Sequence, residues 1–339
     1  MPFELTFDLT TLWAAIIAVA VFAYVVLDGF DLGAGMLFAL FPKKRDRDTI
    51  MNSVAPVWDG NETWLVLGGG GLFAAFPLAY AVIMPAVYAP LIAMLLALVF
   101  RGVSFEFRWR TERGRFLWDW GFMTGSAVAA FCQGVILGAI LQGIPMADRA
   151  YAGGWWNWLS PFTVLAGVSV AIGYLLLGAT WLVAKTEGEL QARARRLAWV
   201  FFILVVACMG AVSLWTPFLE QNYFDRWFRW PGLIAAILVP LATAAIAWAM
   251  HRALKVRPRD IAPFVLSLAL FGLAYAGLAL SMYPWLVPGV LTLNEAAAPR
   301  SSQLFMLPGV LILLPVILGY TGYAYWVFRG KVGHDAGYH

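Results

Sequence analysis

A chain of 339 residues that is 62% hydrophobic and only 12% charged, with a mean hydropathy of +0.77, is no soluble domain. It reads as a polytopic membrane protein. The net charge of +4 gives no argument for nucleic acid, because Lys and Arg in such chains collect in cytoplasmic loops and set orientation.

Taking stretches of about 20 apolar residues as spans, the chain holds about nine, near 12–40, 55–77, 80–104, 118–142, 162–184, 197–217, 231–250, 262–286 and 305–328. The expected fold is all-α, one integral-membrane helical domain over 1–339. The opening MPFELTFDLT lacks a basic n-region, so the first span is expected to stay in the protein. That span is longer than a straight crossing needs, which predicts tilt or protrusion at its C-terminal end. The short connection through Pro77 predicts that spans two and three are antiparallel neighbours. Outer loops carry the clusters Trp155, Trp156, Trp158 and Trp227, Phe228, Trp230; they read as interfacial anchors, with a quinone or partner contact as the other reading.

Basic residues follow the odd spans: Lys43, Lys44, Arg45 and Arg47; Arg101, Arg108, Arg110, Arg113 and Arg115; Lys185, Arg193, Arg195 and Arg196; His251, Arg252, Lys255, Arg257 and Arg259; Arg329 and Lys331. The other loops hold only Arg149, Arg226, Arg229 and Arg300. By the positive-inside rule the N-terminus is outside (periplasmic) and the C-terminus cytoplasmic, which requires an odd number of spans.

With that topology five acids fall near the cytoplasmic ends of the first three spans: Asp28 and Asp31, Asp59 and Glu62, and Glu106. Asp28 and Asp31, like Asp59 and Glu62, are three apart and share a helix face. Acids in poorly solvated sites hold and release protons near neutral pH, and intramembrane carboxylates mark ion or proton paths. Structural readings stand beside this one. Asp28 and Asp31 could bond helix ends, Asp59 could cap its helix, and Glu62 could be a first-turn acid favoured by the helix dipole. Glu106 could pair with a neighbouring Arg, and Arg101 could snorkel or pair with an acid. Asn61 belongs to the same polar mouth, and Gly68 to Gly71 strip side chains from the helix that follows, letting another helix or a bound group approach.

The segment VWDGNETWLVLGGGGLFAAFPLAYA, together with LDGFDLGAGML, FRGVSFEFRWR and WDWGFMTGSAVAAFCQGVILGAILQG, resembles subunit II of the cytochrome bd-type quinol oxidases, particularly the cyanide-insensitive branch. The likeness is strong over roughly the first 145 residues and compatible, with fewer motifs, to the C-terminus. It implies a bacterial cytoplasmic (inner) membrane protein that supports a haem-bearing subunit I, where haem b and haem d type centres reduce oxygen with electrons from quinol. It implies a proton path through Asp59 and Glu106, with Arg110 at a position that is basic in the family, and Trp64 at the membrane-facing mouth of an oxygen route. A small single-helix subunit and a structural quinone among the helices are further partners that some relatives have. Two departures stand out: some members have His where this chain has Val57, and Asp where it has Glu106.

The 3 histidines, His251, His334 and His339, are not spaced as a ligand pair, and none is mid-span, as haem ligation requires. Methionines such as Met84, Met94 and Met123 read as core filler, and so do the 2 cysteines, Cys132 and Cys208. GGGG without a following Lys-Ser/Thr is no phosphate loop, and no zinc or hydrolase spacing is found. No cofactor or metal is therefore expected to be ligated by this chain. The competing readings are a stand-alone proton-coupled transporter, which would bind near the midplane between inverted repeats, and, for the C-terminal half, a purely structural membrane anchor.

Overall fold

The computed structural model describes residues 8–256 and 259–332. The opening heptapeptide, Arg257, His334 and His339 lie outside the described residues. Helix α1 (Leu9–Leu37) is capped by Asp8, whose carboxyl accepts from the Thr11 amide at 2.8 Å. Its 29 residues reach about 44 Å at ~1.5 Å per residue, well beyond a hydrocarbon core of about 30 Å, as its length in sequence predicts. A single 3₁₀ turn, Phe38–Leu40, leads to α2 (Lys44–Val54) on the basic side.

α3 (Trp58–Ala75) ends just before Pro77. Proline restricts the residue before it, and Phe76 leaves the helical region at φ −133, ψ 61. α4 (Pro77–Ala86) then starts on that proline, and the chain breaks again at Val87 before α5 (Tyr88–Arg110). Predicted span three (80–104) is thus broken, with 80–86 in α4 and 88–104 in α5. Of the expected antiparallel neighbours, α3 packs mainly on α1 and α5 on α6 (Arg115–Leu141). α3 and α5 meet through side chains, Trp58 stacking on Phe105 with ring centroids 4.9 Å apart.

The hairpin β1 (Met146–Ala147) and β2 (Ala150–Tyr151) precedes α7 (Pro161–Lys185), whose N-terminus carries a reciprocal Ser160–Thr163 capping box. Then follow α8 (Gly188–Trp215), the short α9 (Gln221–Phe228), α10 (Gly232–Val256) and α11 (Ala262–Met282). A second hairpin, β3 (Trp285–Val287) with β4 (Leu291–Thr292), takes the last residues assigned to span eight. α12 (Leu293–Ala296) and α13 (Arg300–Val327) close the chain.

Among the described residues 8 helices are long and apolar enough to cross a bilayer. α3 is left out of that count because Asp59, Asn61, Glu62 and four glycines dilute its hydropathy. The positions of the two ends nevertheless require it to cross. Leu9 packs in the same cluster as Val287 and Leu291 of the second hairpin. Val332 donates to the Lys185 carbonyl at 2.8 Å at the opposite end of the bundle. Ends on opposite sides need an odd number of crossings, and α3 supplies the ninth. The basic loops also meet one another: Lys43 pairs with Glu189, Arg195 with Asp260, and Lys331 with both Asp260 and Glu187. All lie on the side that the excess of Lys and Arg marks as cytoplasmic.

α1 is the central element, packed by α3, α6 and α7. Its closest approach is to α7: a Cβ on Gly33 would lie 1.8 Å from the Tyr174 carbonyl oxygen, and one on Gly178 would lie 2.5 Å from the Ala34 amide nitrogen. Only glycine at both positions lets the two backbones touch.

Candidate functional site: a buried acid cluster between α1, α3 and α5

Asp28 and Asp31 lie on one face of α1, both fully buried. They sit within continuous helix, toward its C-terminal end but before its last turn. Carboxylates taken out of water must be paired or neutralised. The one buried cation beside them is Arg101 of α5, itself 0% exposed. Its Nη1 lies 2.9 Å from Asp28 Oδ1 and 3.7 Å from Glu62 Oε2 of α3. α6 closes over the guanidinium's helix, since a Cβ on Gly125 would meet the Ala97 carbonyl oxygen at 2.6 Å and the Arg101 Cβ at 3.2 Å.

Asp31 has a different neighbour. Asn61 Nδ2 donates to Asp31 Oδ2 at 2.7 Å and to the Leu27 carbonyl at 3.2 Å, while Asn61 Oδ1 accepts from the Tyr325 hydroxyl of α13 at 2.9 Å. The Leu27 carbonyl can only accept, which fixes the amide with its nitrogen toward Asp31. A second polar chain runs along the Asp28 side: the Tyr174 hydroxyl donates to Gln133 Oε1 at 2.6 Å, and Gln133 Nε2 donates to the Tyr24 oxygen at 2.8 Å. Tyr24 is one turn before Asp28 and faces its carboxyl.

The predicted acids therefore separate into two groups. Asp28 and Glu62 converge on Arg101, and Asp31 lies beside them, held by Asn61. Asp59 and Glu106 are instead exposed on this chain. Asp59 is not the helix cap, because α3 begins at Trp58 and its N-cap, Val57, makes no side-chain cap. Glu106 sits one turn before the end of α5, next to a strip of exposed apolar residues that includes Val99, Phe100, Val103 and Phe107. Arg110 is exposed and joins neither group. Trp64 is not at a membrane-facing mouth in this chain. Its indole is 1% exposed, packed with Ala20 and Tyr24 of α1.

Sequence reasoning missed the two hydrogen-bonded chains and a neighbouring ionic clasp. Gln133, Tyr174 and Tyr325 are polar residues inside apolar runs, and that was the available signal. In the clasp, the fully buried Arg108 lies 2.7 Å from Asp48 and 2.5 Å from Asp119, and Arg47 reaches Asp119 at 2.8 Å. The two arginines balance the two aspartates and tie α2, α5 and α6 together just below the acid cluster.

The residues present do not fit a haem. His251 is the only histidine among the described residues, and its ring packs on the Trp199 indole at 4.9 Å. Among the described residues no group of three or more His, Cys, Asp or Glu could hold a metal ion.

The family model described as cytochrome bd terminal oxidase subunit II matches residues 9–328. The chain is 32% identical to cytochrome bd-I ubiquinol oxidase subunit 2 of Escherichia coli K12, over 95% of this chain and 94% of that one. It is 30% identical to cytochrome bd ubiquinol oxidase subunit 2 of Bacillus subtilis, over 96% and 98%. In fold it resembles a chain of the bd oxidase structure from Geobacillus thermodenitrificans, with a TM-score of 0.77 over 94% of this chain and 98% of that one at 15% identity. By the extent of these matches and the motifs that carry them, the protein belongs to the cytochrome bd terminal oxidase subunit II family.

Proposed function

We propose that this chain, as the subunit II of a bd-type quinol oxidase in the bacterial inner membrane, brings cytoplasmic protons to a haem-bearing subunit I. Asp59 and Glu62 form the mouth, Asp31 the inner station, and Glu106 the point of transfer to the partner. Asp28 and Arg101 hold the charge balance of the path, and Arg110 adds a positive charge at its cytoplasmic edge. Reduction of oxygen to water in the partner consumes protons with the electrons. Drawing those protons from the cytoplasm, while quinol is oxidised on the outer side, separates charge across the membrane.

The observation that carries this reading is the gathering of three acids and one arginine from three helices at the cytoplasmic end of an otherwise apolar bundle. Clusters of this kind are costly in a membrane and mark ion or proton routes. The exposure of Glu106 beside Val99, Phe100, Val103 and Phe107 supports the place of the partner. A carboxylate on an apolar membrane face calls for a covering protein, and the open Gly69 and Gly70 of α3, with nothing within 4 Å of an added Cβ, leave room for a close helix. Subunit I is the covering protein in this reading.

The test is oxygen consumption by the assembled enzyme. Asp59→Asn and Glu106→Gln remove a proton carrier while keeping shape, and each should slow turnover by on the order of tenfold or more, with haem spectra unchanged. Wild-type turnover in both variants would reduce the two residues to a structural role.

A further inference from the structure

The cluster contains more acid than its single arginine can neutralise, and the geometry says which carboxyl is in excess. Arg101 touches Asp28 at 2.9 Å and Glu62 at 3.7 Å. It makes no contact with Asp31 within 4.0 Å. Asp28 and Arg101, both 0% exposed, form a neutral buried pair. Glu62 keeps 28% of its side chain exposed and can be ionised with help from water. Asp31 is 0% exposed and has no cation within ion-pair distance. Its Oδ2 receives one neutral amide hydrogen bond from Asn61, and its Oδ1, buried like both oxygens of Asp28, lacks the guanidinium that lies 2.9 Å from Asp28 Oδ1. An ionised carboxylate is strongly disfavoured in that setting, and such groups neutralise instead.

The groups facing Asp31 are Asp28 from α1, Glu62 and Asn61 from α3, Arg101 from α5 and Tyr325 from α13, with Tyr24, Gln133 and Tyr174 on the Asp28 side. Among these, Arg101 alone is a cation, and Asp28 lies against it.

We infer that Asp31 carries a proton in the resting protein while Asp28 stays ionised as the counter-ion of Arg101, and that Asn61 and Tyr325 are positioning residues that hold the Asp31 carboxyl. Tyr325 comes from a helix that otherwise buries little, and its ring is fixed edge-on by Phe30 and Trp181 at 6.3 Å. Its hydroxyl is donated to Asn61 Oδ1, so the amide nitrogen stays turned to Asp31. The Tyr174–Gln133–Tyr24 chain lies on the Asp28 side, its donors running from Tyr174 to Gln133 and from Gln133 to the Tyr24 oxygen. In the relay, Asp31 passes its proton onward and is refilled from Glu62, with no change in the Asp28–Arg101 pair. The inference deepens the proton-path reading and rests on it only for the direction of transfer.

The test is infrared spectroscopy of the assembled oxidase in mildly alkaline buffer, where water-exposed carboxyls are ionised. The wild-type minus Asp31→Asn difference should contain one carboxylic-acid carbonyl band that moves on exchange into D2O. The wild-type minus Glu62→Gln difference should lack it, and Tyr325→Phe should shift the band without removing it. A carboxylic-acid band lost in Glu62→Gln and kept in Asp31→Asn would assign the proton to Glu62 and overturn the inference. If Asp31→Asn does not assemble, Tyr325→Phe decides, an unshifted band being the adverse result. These bands are read at rest, so they can fail while the turnover test succeeds, and the reverse.

Discussion

The inner helices α1, α5, α6 and α7 and the outer helices α10 and α13 are all long and apolar enough to cross a bilayer, yet they solve different problems. α7 buries fifteen of its residues, whereas α10 buries only Met250, Ala253 and Leu254, and α13 only Gln303. Among the described residues every fully buried ionisable Asp or Arg, Asp28, Asp31, Arg101 and Arg108, lies on the inner set. Charge in a membrane needs a protein surround dense enough to exclude lipid and polar enough to pair it. Glycine contacts such as Gly33 on Tyr174 and Gly125 on Ala97 supply the density. The outer helices carry no such charge and need no such packing; their exposed apolar faces suit lipid or a partner helix. α13 joins the inner chemistry at one point only, Tyr325.

That contrast is most exposed to refutation at Arg101. Arg101→Met leaves Asp28 buried without its cation, a change that costs about 3–5 kcal/mol. The assembled complex should melt many degrees lower or fail to accumulate. Adding Asp28→Leu should recover much of the loss, because an apolar pair in place of a buried ion pair is often neutral or better. A single variant as stable as the parent would mean that the cluster is hydrated and behaves like a surface.

Next in size is the glycine contrast. Gly33→Ala places a Cβ 1.8 Å from the Tyr174 carbonyl oxygen, so α1 and α7 must part, at a cost of about 1–3 kcal/mol as for other overpacked cores. Gly319→Ala on α13 meets nothing within 4 Å and should leave thermal stability unchanged. Equal melting of the two variants would erase the distinction between the inner and outer sets.

Much of this was legible in the sequence. Apolar runs located about nine spans, and the alternation of basic loops gave the sidedness and with it the odd number of crossings. α3 was legible because WDGNETW is distinctive, although its hydropathy alone falls short. Hidden from any linear reading were the break at Val87 and the packing of α3 on α1 rather than on α5, which depend on prolines acting through three-dimensional context. The site was half legible. Asp28 and Asp31 announced a shared face, and Arg101 offered the pair. Spacing says nothing, however, about which carboxyl the guanidinium touches, and five acids at one depth do not reveal that Asp59 and Glu106 point outward while the others point in. Tyr325 lies 264 residues from Asn61, and no local pattern links them.

The smallest expected effect lies at the cytoplasmic edge, where the end of α13 is tied to the inner set. Lys185 donates to the carbonyls of Phe328 and Gly330, and Lys331 donates to Asp260 at 2.8 Å. The hydrogen bond from Lys331 is the main reason the Asp260 carboxyl is held below its usual range, with the charges of Lys331 and Arg195 adding to it. The same hydrogen bond raises Lys331 above its own. A carboxyl whose folded value is lowered stabilises the fold above its unfolded value of about 3.9, and that contribution is lost as pH falls through the folded value. A raised lysine stabilises below about 10.4 and loses its contribution as pH rises through the folded value. The tie is therefore complete across neutral pH and weakens at both extremes. Because both side chains are 36% exposed, its worth is that of a surface pair, about 0.2–1 kcal/mol, and salt should reduce it. Amide exchange at Val332, whose N–H bonds the Lys185 carbonyl, reports the tie directly. Lys331→Ala should speed that exchange a few-fold at neutral pH while leaving α7 protected, and added salt should move the parent toward the variant. Exchange unaffected by either change would show that Lys185, held against the Trp181 ring at 4.8 Å, anchors the end of α13 without the surface pair.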